Sequence, residues 1–155
     1  MEYRLSADKS IVSGRVFILF SFSFVFFVGV LFFYFLDNRY ISITAEKQIT
    51  AAKGAELWMP VAISNRTHIH FNESEKYYLS GRIKKVGSND PGTDLPRTVI
   101  DLKPWGRVSS AVHLVSPIEE GEYQIDISIV KEGEYWLSDK GERPFKMLLT
   151  VKGQE

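Results

Sequence analysis

Cysteine is absent from this chain of 155 residues, and with it go disulfides, thiolate nucleophiles and Cys-ligated zinc. Packing must hold the molecule together, and the redox compartment is left open. An excess of one charge is missing too. The 19 Lys and Arg against 19 Asp and Glu leave a net charge of +0, so no whole-molecule field draws in nucleic acid, which is not an expected partner. Catalytic signatures are equally scarce. There is no Gly-x-Ser-x-Gly, no phosphate-cradling glycine loop and no Ser beside a recognisable base, which argues against several common enzyme classes. No internal repeat or low-complexity tract is present.

What the chain does hold is one long apolar run. Residues 16–36 carry no charge and set Phe17, Phe20, Phe22, Phe24, Phe26, Phe27, Phe32, Phe33 and Phe35 among Val, Leu and Ile. At about 1.5 Å per residue this run crosses the roughly 30 Å hydrocarbon core of a bilayer. A cleaved signal peptide has a shorter apolar region, about 7 to 15 residues, and no small-x-small site follows directly, so an uncleaved anchor is expected. Arg4, Lys9 and Arg15 precede the run while Arg39, Lys47 and Lys53 follow it, which favours a cytoplasmic N-terminus. The expected organisation is a short cytoplasmic tail at 1–15, a transmembrane helix at 16–36, a juxtamembrane segment with the first strand at 37–56, and a β domain at 57–153.

Beyond residue 36 the pattern turns to short apolar or alternating runs broken by Gly, Pro, Asn and Asp. Strands are expected at 40–46, at 57–65 with Leu57, Met59, Val61 and Ile63 on one face, and at 77–86. Residues 87–96 read as a loop. A short strand at 97–102 and another at 107–116 flank the turn Lys103-Pro104-Trp105-Gly106, a connection that joins neighbouring antiparallel strands. The clearest strand is 122–130, where Tyr123, Ile125, Ile127 and Ile129 alternate with polar residues. A short strand at 135–137 and a last one at 145–151 complete about seven strands, and the spacing of the turns predicts an all-β antiparallel sandwich. Tyr123, opening its strand straight after Gly121, reads as a corner tyrosine whose hydroxyl bonds backbone.

Several motifs follow one another along the chain: Val61-Ala62-Ile63-Ser64-Asn65, Tyr78-Leu79-Ser80-Gly81-Arg82, Arg97-Thr98 leading to Leu102-Lys103-Pro104, and Ser116-Pro117 through Gly121-Glu122-Tyr123. The run from Asp126 to Gly133, then Trp136, Gly141 and Leu149-Thr150-Val151, continues it. Together they cover most of residues 57–151. In this order the chain resembles the immunoglobulin-like C-terminal carbohydrate-binding domain of the ABC transporters that export O-antigen polysaccharide. Similar modules accompany bacterial glycosyltransferases and methyltransferases. The family usually has Pro-Gly where this chain reads Pro104-Trp105-Gly106.

The resemblance implies an immunoglobulin-like β-sandwich without a cofactor. It also implies a non-enzymatic accessory of cell-surface polysaccharide synthesis or export, with a β domain that binds glycan. Combined with the anchor, it places the protein in the bacterial inner membrane as a single-pass chain whose β domain is extracytoplasmic, in the periplasm. One alternative is a docking subunit that binds a membrane-bound glycosyltransferase or exporter; a second is a metal-dependent hydrolase.

Sugar rings present apolar C–H faces that stack on exposed aromatics, so Trp105, Trp58, Trp136, Tyr78 and Tyr135 are the candidate contacts, with core packing the competing role for each. Trp105, at a turn, is the aromatic least suited to burial. His68 and His70 sit one residue apart and could face one way in an extended segment, with Glu73, Glu75 or His113 to complete a metal site. Zinc needs three or four convergent ligands, so a solvated loop edge is the plainer reading. Asp90, Asp94, Asp101, Glu119 and Glu120 could supply paired carboxylates for hydrolysis, or simply solvate loops. Asn65-Arg66-Thr67 and Asn72-Glu73-Ser74 match glycosylation sequons, which matter only in a eukaryotic secretory setting.

Overall fold

The computed structural model describes residues 40–153. The expected tail at 1–15 and transmembrane segment at 16–36 lie outside the described residues. Among the described residues no helix is long and apolar enough to cross a membrane.

Ten strands follow one another: β1 (Ile41–Thr44), β2 (Gln48–Ala52), β3 (Glu56–Asn65), β4 (Tyr77–Lys85), β5 (Thr93–Asp94), β6 (Thr98–Val99), β7 (Arg107–Val115), β8 (Gly121–Lys131), β9 (Tyr135–Trp136) and β10 (Phe145–Lys152). Two short 3-10 turns, Glu73–Glu75 and Leu137–Lys140, are the helical pieces among the described residues. One sheet runs β1-β3-β7; the other runs β2-β10-β8-β4-β5, with β6 added to β4 and β9 to β8.

The alternation read from the sequence has its physical outcome here. Met59, Val61 and Ile63 of β3 and Val112 and Leu114 of β7 point inward from one sheet, Leu79, Ile125, Ile127, Ile129, Met147, Leu149 and Val151 from the other, and all join one buried cluster. Each fully buried aliphatic side chain contributes about 1.5–3 kcal/mol, so packing can replace the missing disulfides. Phe71, Leu95, Ile100 and Leu102 close the side of the sandwich, with Phe71 edge-on to Tyr77 at 4.9 Å. The Tyr123 hydroxyl donates to the Glu119 carbonyl at 3.1 Å, the corner expected of it. Two packed sheets with strands switching between them and a tyrosine corner make an immunoglobulin-like β-sandwich.

Three details differ from the sequence reading. The strand at 48–52 was not expected; it pairs parallel to β10, so the sandwich is not wholly antiparallel. Only Ile49, Ala51 and Ala52 in it are apolar, and the unpaired edge of β10 rather than side-chain pattern makes it a strand. The loop at 87–96 contributes the two residues of β5 to the edge of the larger sheet. Finally, the turn at 103–106 does not join paired neighbours. β6 bonds β4 and β7 bonds β3, so the turn carries the chain from one sheet to the other. Leu102 and Ile100 are drawn into the core, which pulls the preceding strand away from β7.

Candidate functional site

The turn at 103–106 is closed by the Gly106 N–H donating to the Lys103 carbonyl at 3.0 Å. Pro104 occupies its second position and Trp105, with φ 56, its third. A positive φ at the third position is the demand of a type II turn, and Gly or Asn is the usual residue there. Here it is an indole, 61% exposed.

Asn65 holds this turn in place. It is 2% exposed, and its side-chain amide donates to the carbonyls of Ile69 (2.7 Å) and Lys103 (3.0 Å). Its side-chain oxygen accepts from the backbone N–H and the hydroxyl of Thr67, both at 2.8 Å. One residue thus ties the 66–70 loop to the 103–106 turn, and the tie brings His68 edge-on to Trp105, with ring centroids 5.2 Å apart and planes at 85°. The sequence showed Asn65 as part of a glycosylation sequon; an Asn ending a strand with Thr two residues on is also the signal of an Asx turn, and the buried amide has that role. Asn72, in the other sequon, caps the first 3-10 turn by accepting from the Glu75 N–H.

Trp58 lies on the outer face of the three-stranded sheet, 62% exposed. It stands opposite His113 in the β3–β7 register, and the two rings stack with centroids 4.5 Å apart and planes at 24°. His113 Nε2 is 2.9 Å from Glu56 Oε1. Pro60, Ala62, Ser109 and Ala111 share this face by register and leave a flat surface beside the indole. Trp58 and Trp105 sit towards opposite ends of this sheet, since β3 runs from Trp58, beside His113, to Ser64, beside Arg107.

The remaining aromatics are elsewhere. Trp136 is buried, with the guanidinium carbons of Arg82 and Arg97 at 4.4 and 5.1 Å from its ring centroid. Arg97 in turn bonds Asp94, Glu132 and the Ser80 hydroxyl, a network that covers the outer face of the larger sheet. Tyr78 is half-buried on that same sheet. Tyr135 is half-buried, its hydroxyl 3.3 Å from that of Tyr77; burial first, and this hydrogen bond second, push the Tyr77 hydroxyl up to about 12. The five aromatics therefore do not form one groove.

The two imidazoles also part company. His70 pairs with Asp101 while His68 meets Trp105, and among the described residues no three His, Asp or Glu side chains converge on a metal position. The candidate carboxylates each have a separate partner: Asp94 takes Arg82 and Arg97, Glu119 takes Lys85, Glu120 takes Lys53, and Asp90 accepts from the Gly92 N–H in its own loop. An open polar depression of about 320 Å³ lies between the 88–93 loop and the 117–119 segment, lined by Lys84, Lys85, Asp90, Glu119 and Tyr123 among others. None of the five candidate aromatics borders it.

No family model matches the chain, and no curated protein matches it. Its likenesses are to solved structures. A CARDB domain from Pyrococcus furiosus is 14% identical, with 74% of this chain and 94% of that one covered and a TM-score of 0.49. The GspB Siglec domain is 10% identical over 76% of this chain and 60% of that one, TM-score 0.48. A Niemann-Pick type C2 protein from the Japanese carpenter ant is 11% identical over 72% and 89%, TM-score 0.44. At these values none speaks to function.

Proposed function

We propose that this chain is a membrane-tethered, non-enzymatic binding module that serves as an accessory in bacterial cell-surface polysaccharide synthesis or export, with Trp105 as its principal glycan contact. The conformation of Trp105 carries the reading. A bulky residue in the left-handed region costs on the order of 1 kcal/mol, and an indole that is 61% exposed recovers little of that by packing. Strained backbone clusters at ligand clamps and other functional sites, which supports reading this exposed indole as a contact residue. The free indole offers a stacking surface for the C–H face of a pyranose, and His68 beside it can bond a hydroxyl. Trp58 on its flat sheet face is a second such platform.

The tether has a physical purpose in this reading. With residues 16–36 in the bilayer and the β domain in the periplasm, the module meets membrane-bound glycan, glycosyltransferase or exporter at high effective concentration, so weak contacts suffice.

The test is binding of the full-length chain in lipid nanodiscs to a panel of purified O-antigen and capsular polysaccharides, with Trp105→Gly alongside. Glycine suits the turn, so the variant keeps its fold, while loss of the indole weakens binding about tenfold or more, equivalent to about 1.4 kcal/mol. Binding that survives Trp105→Gly, or a folded chain that binds none of the panel, would refute the proposal.

A further inference from the structure

We infer that the open edge of β7 is the self-association surface of this protein, where two copies pair antiparallel about a two-fold axis at Ala111 to form one continuous six-stranded sheet. β7 is bonded to β3 on one side only. The Asn65 N–H donates to the Gly106 carbonyl and the Ser116 N–H to the Ala55 carbonyl, which sets the phase of the β3–β7 ladder. In that phase Val108, Ser110, Val112 and Leu114 turn their backbone groups to β3, and Arg107, Ser109, Ala111, His113 and Val115 turn theirs to the open edge. Among the described residues none of these five has a backbone or side-chain partner for its N–H or C=O on that side.

The other edges of the two sheets are short: β1 has 4 residues, β2 has 5 and β5 has 2. Short edges are one of the ways proteins avoid edge pairing, along with Lys, Pro and bulges. β7 has none of these protections: it runs 9 residues, Arg-Val-Ser-Ser-Ala-Val-His-Leu-Val, without Lys, Pro or Gly.

A second copy is the occupant that fits. Pairing about Ala111 sets Arg107 opposite Val115 of the second copy, Ser109 opposite His113, and Ala111 opposite its own counterpart. Every pair then joins two residues whose backbone groups face the open edge, giving roughly ten new hydrogen bonds across the seam. No like charges meet. The next residue across from Val115 is Glu56 on β3, so the Arg107 guanidinium of one copy extends over an apolar neighbour towards a carboxylate of the other. Small side chains, Ser109 and Ala111, lie at the centre of this pairing. The two Trp58 rings then lie on one face of one sheet, roughly 20 Å apart by strand spacing and rise; if Trp58 is a glycan platform, as proposed above, the dimer is bivalent.

The absence of cysteine makes the test direct, because Ala111→Cys would introduce the sole thiol of the chain. The full-length protein in detergent micelles is oxidised as Ala111→Cys and, separately, as Val115→Cys, whose counterpart in this register is Arg107. Ala111→Cys is expected to form the disulfide dimer at least tenfold faster. In sedimentation the unmodified protein is expected to be a dimer, and Ala111→Lys, which sets two ammonium groups face to face on an outward position, a folded monomer. A monomeric unmodified protein, equal cross-linking at the two positions, or an Ala111→Lys variant that stays dimeric would each overturn the inference. None of these readouts involves glycan, so a failure of the binding proposal leaves this one standing, and the reverse.

Discussion

Asn65 carries four hydrogen bonds on one buried side chain, two given by its amide and two received by its oxygen. Asn65→Asp exchanges the amide for a second oxygen that faces the carbonyls of Ile69 and Lys103 across hydrogen-bond distance. Two acceptors lose their donor and a buried charge gains no partner, so the variant is expected to lose about 2–4 kcal/mol of stability in urea unfolding. Trp105 shows the opposite behaviour. Its left-handed φ and its exposure mean that Trp105→Gly should leave stability unchanged or raise it by up to about 1 kcal/mol, measured in the same unfolding experiment. A variant that is more stable and binds less well separates contact from scaffold. Both residues were visible in the sequence, Trp105 as an aromatic at a turn and Asn65 as a strand end. The bond from Asn65 to Lys103 spans 38 positions, and no local pattern reveals such a partner.

Among the elements, β2 shows where local reading stops. Gln48–Ala52 lacks the alternation of β8, yet its five residues pair with Leu148–Lys152, and Ala51 is buried in the common core. β1 pairs with β3 and buries Ile41. A fragment that begins at residue 57, the start read from the sequence for the sandwich, lacks both strands. It is expected to show no cooperative thermal transition by circular dichroism, whereas a fragment from Arg39, where the compact unit begins, melts cooperatively. A cooperative melt from the shorter fragment would show that β1 and β2 are ornaments. The long strands β3, β4, β7, β8 and β10 were legible from apolar residues at nearly every second position, and the short strands β1 and β9 fall where they were expected; β2 and β5 were missed and β6 is shorter than expected, because these are short strands recruited by the edges of their neighbours.

The whole molecule has its own titration. The Tyr77 hydroxyl, pushed up to about 12 chiefly by burial, keeps its proton in the fold where the unfolded chain loses it near 10. Its contribution is therefore complete below pH 10 and is lost as pH rises towards 12, because in that window the unfolded state binds fewer protons than the folded one. Tyr77→Phe keeps the ring against Phe71 and removes this proton. Urea unfolding across that window should show a shallower decline in the variant than in the unaltered chain.

From the amino-acid order alone came the all-β class, the main strands, the corner tyrosine, the expected membrane segment and the set of exposed-aromatic candidates. Each rests on a period, a composition or a turn preference that acts over a few neighbouring residues. Tertiary structure decided which aromatics remain available, because burial depends on what arrives from the other sheet and its connections: Trp136 is buried with Arg82 and Arg97 against its ring, whereas Trp58 and Trp105 stay open. It also decided that His68 and His70 face different partners and that β7 ends a sheet with its edge open. Those facts depend on strand order and long-range pairing, which a single sequence does not encode in any local period.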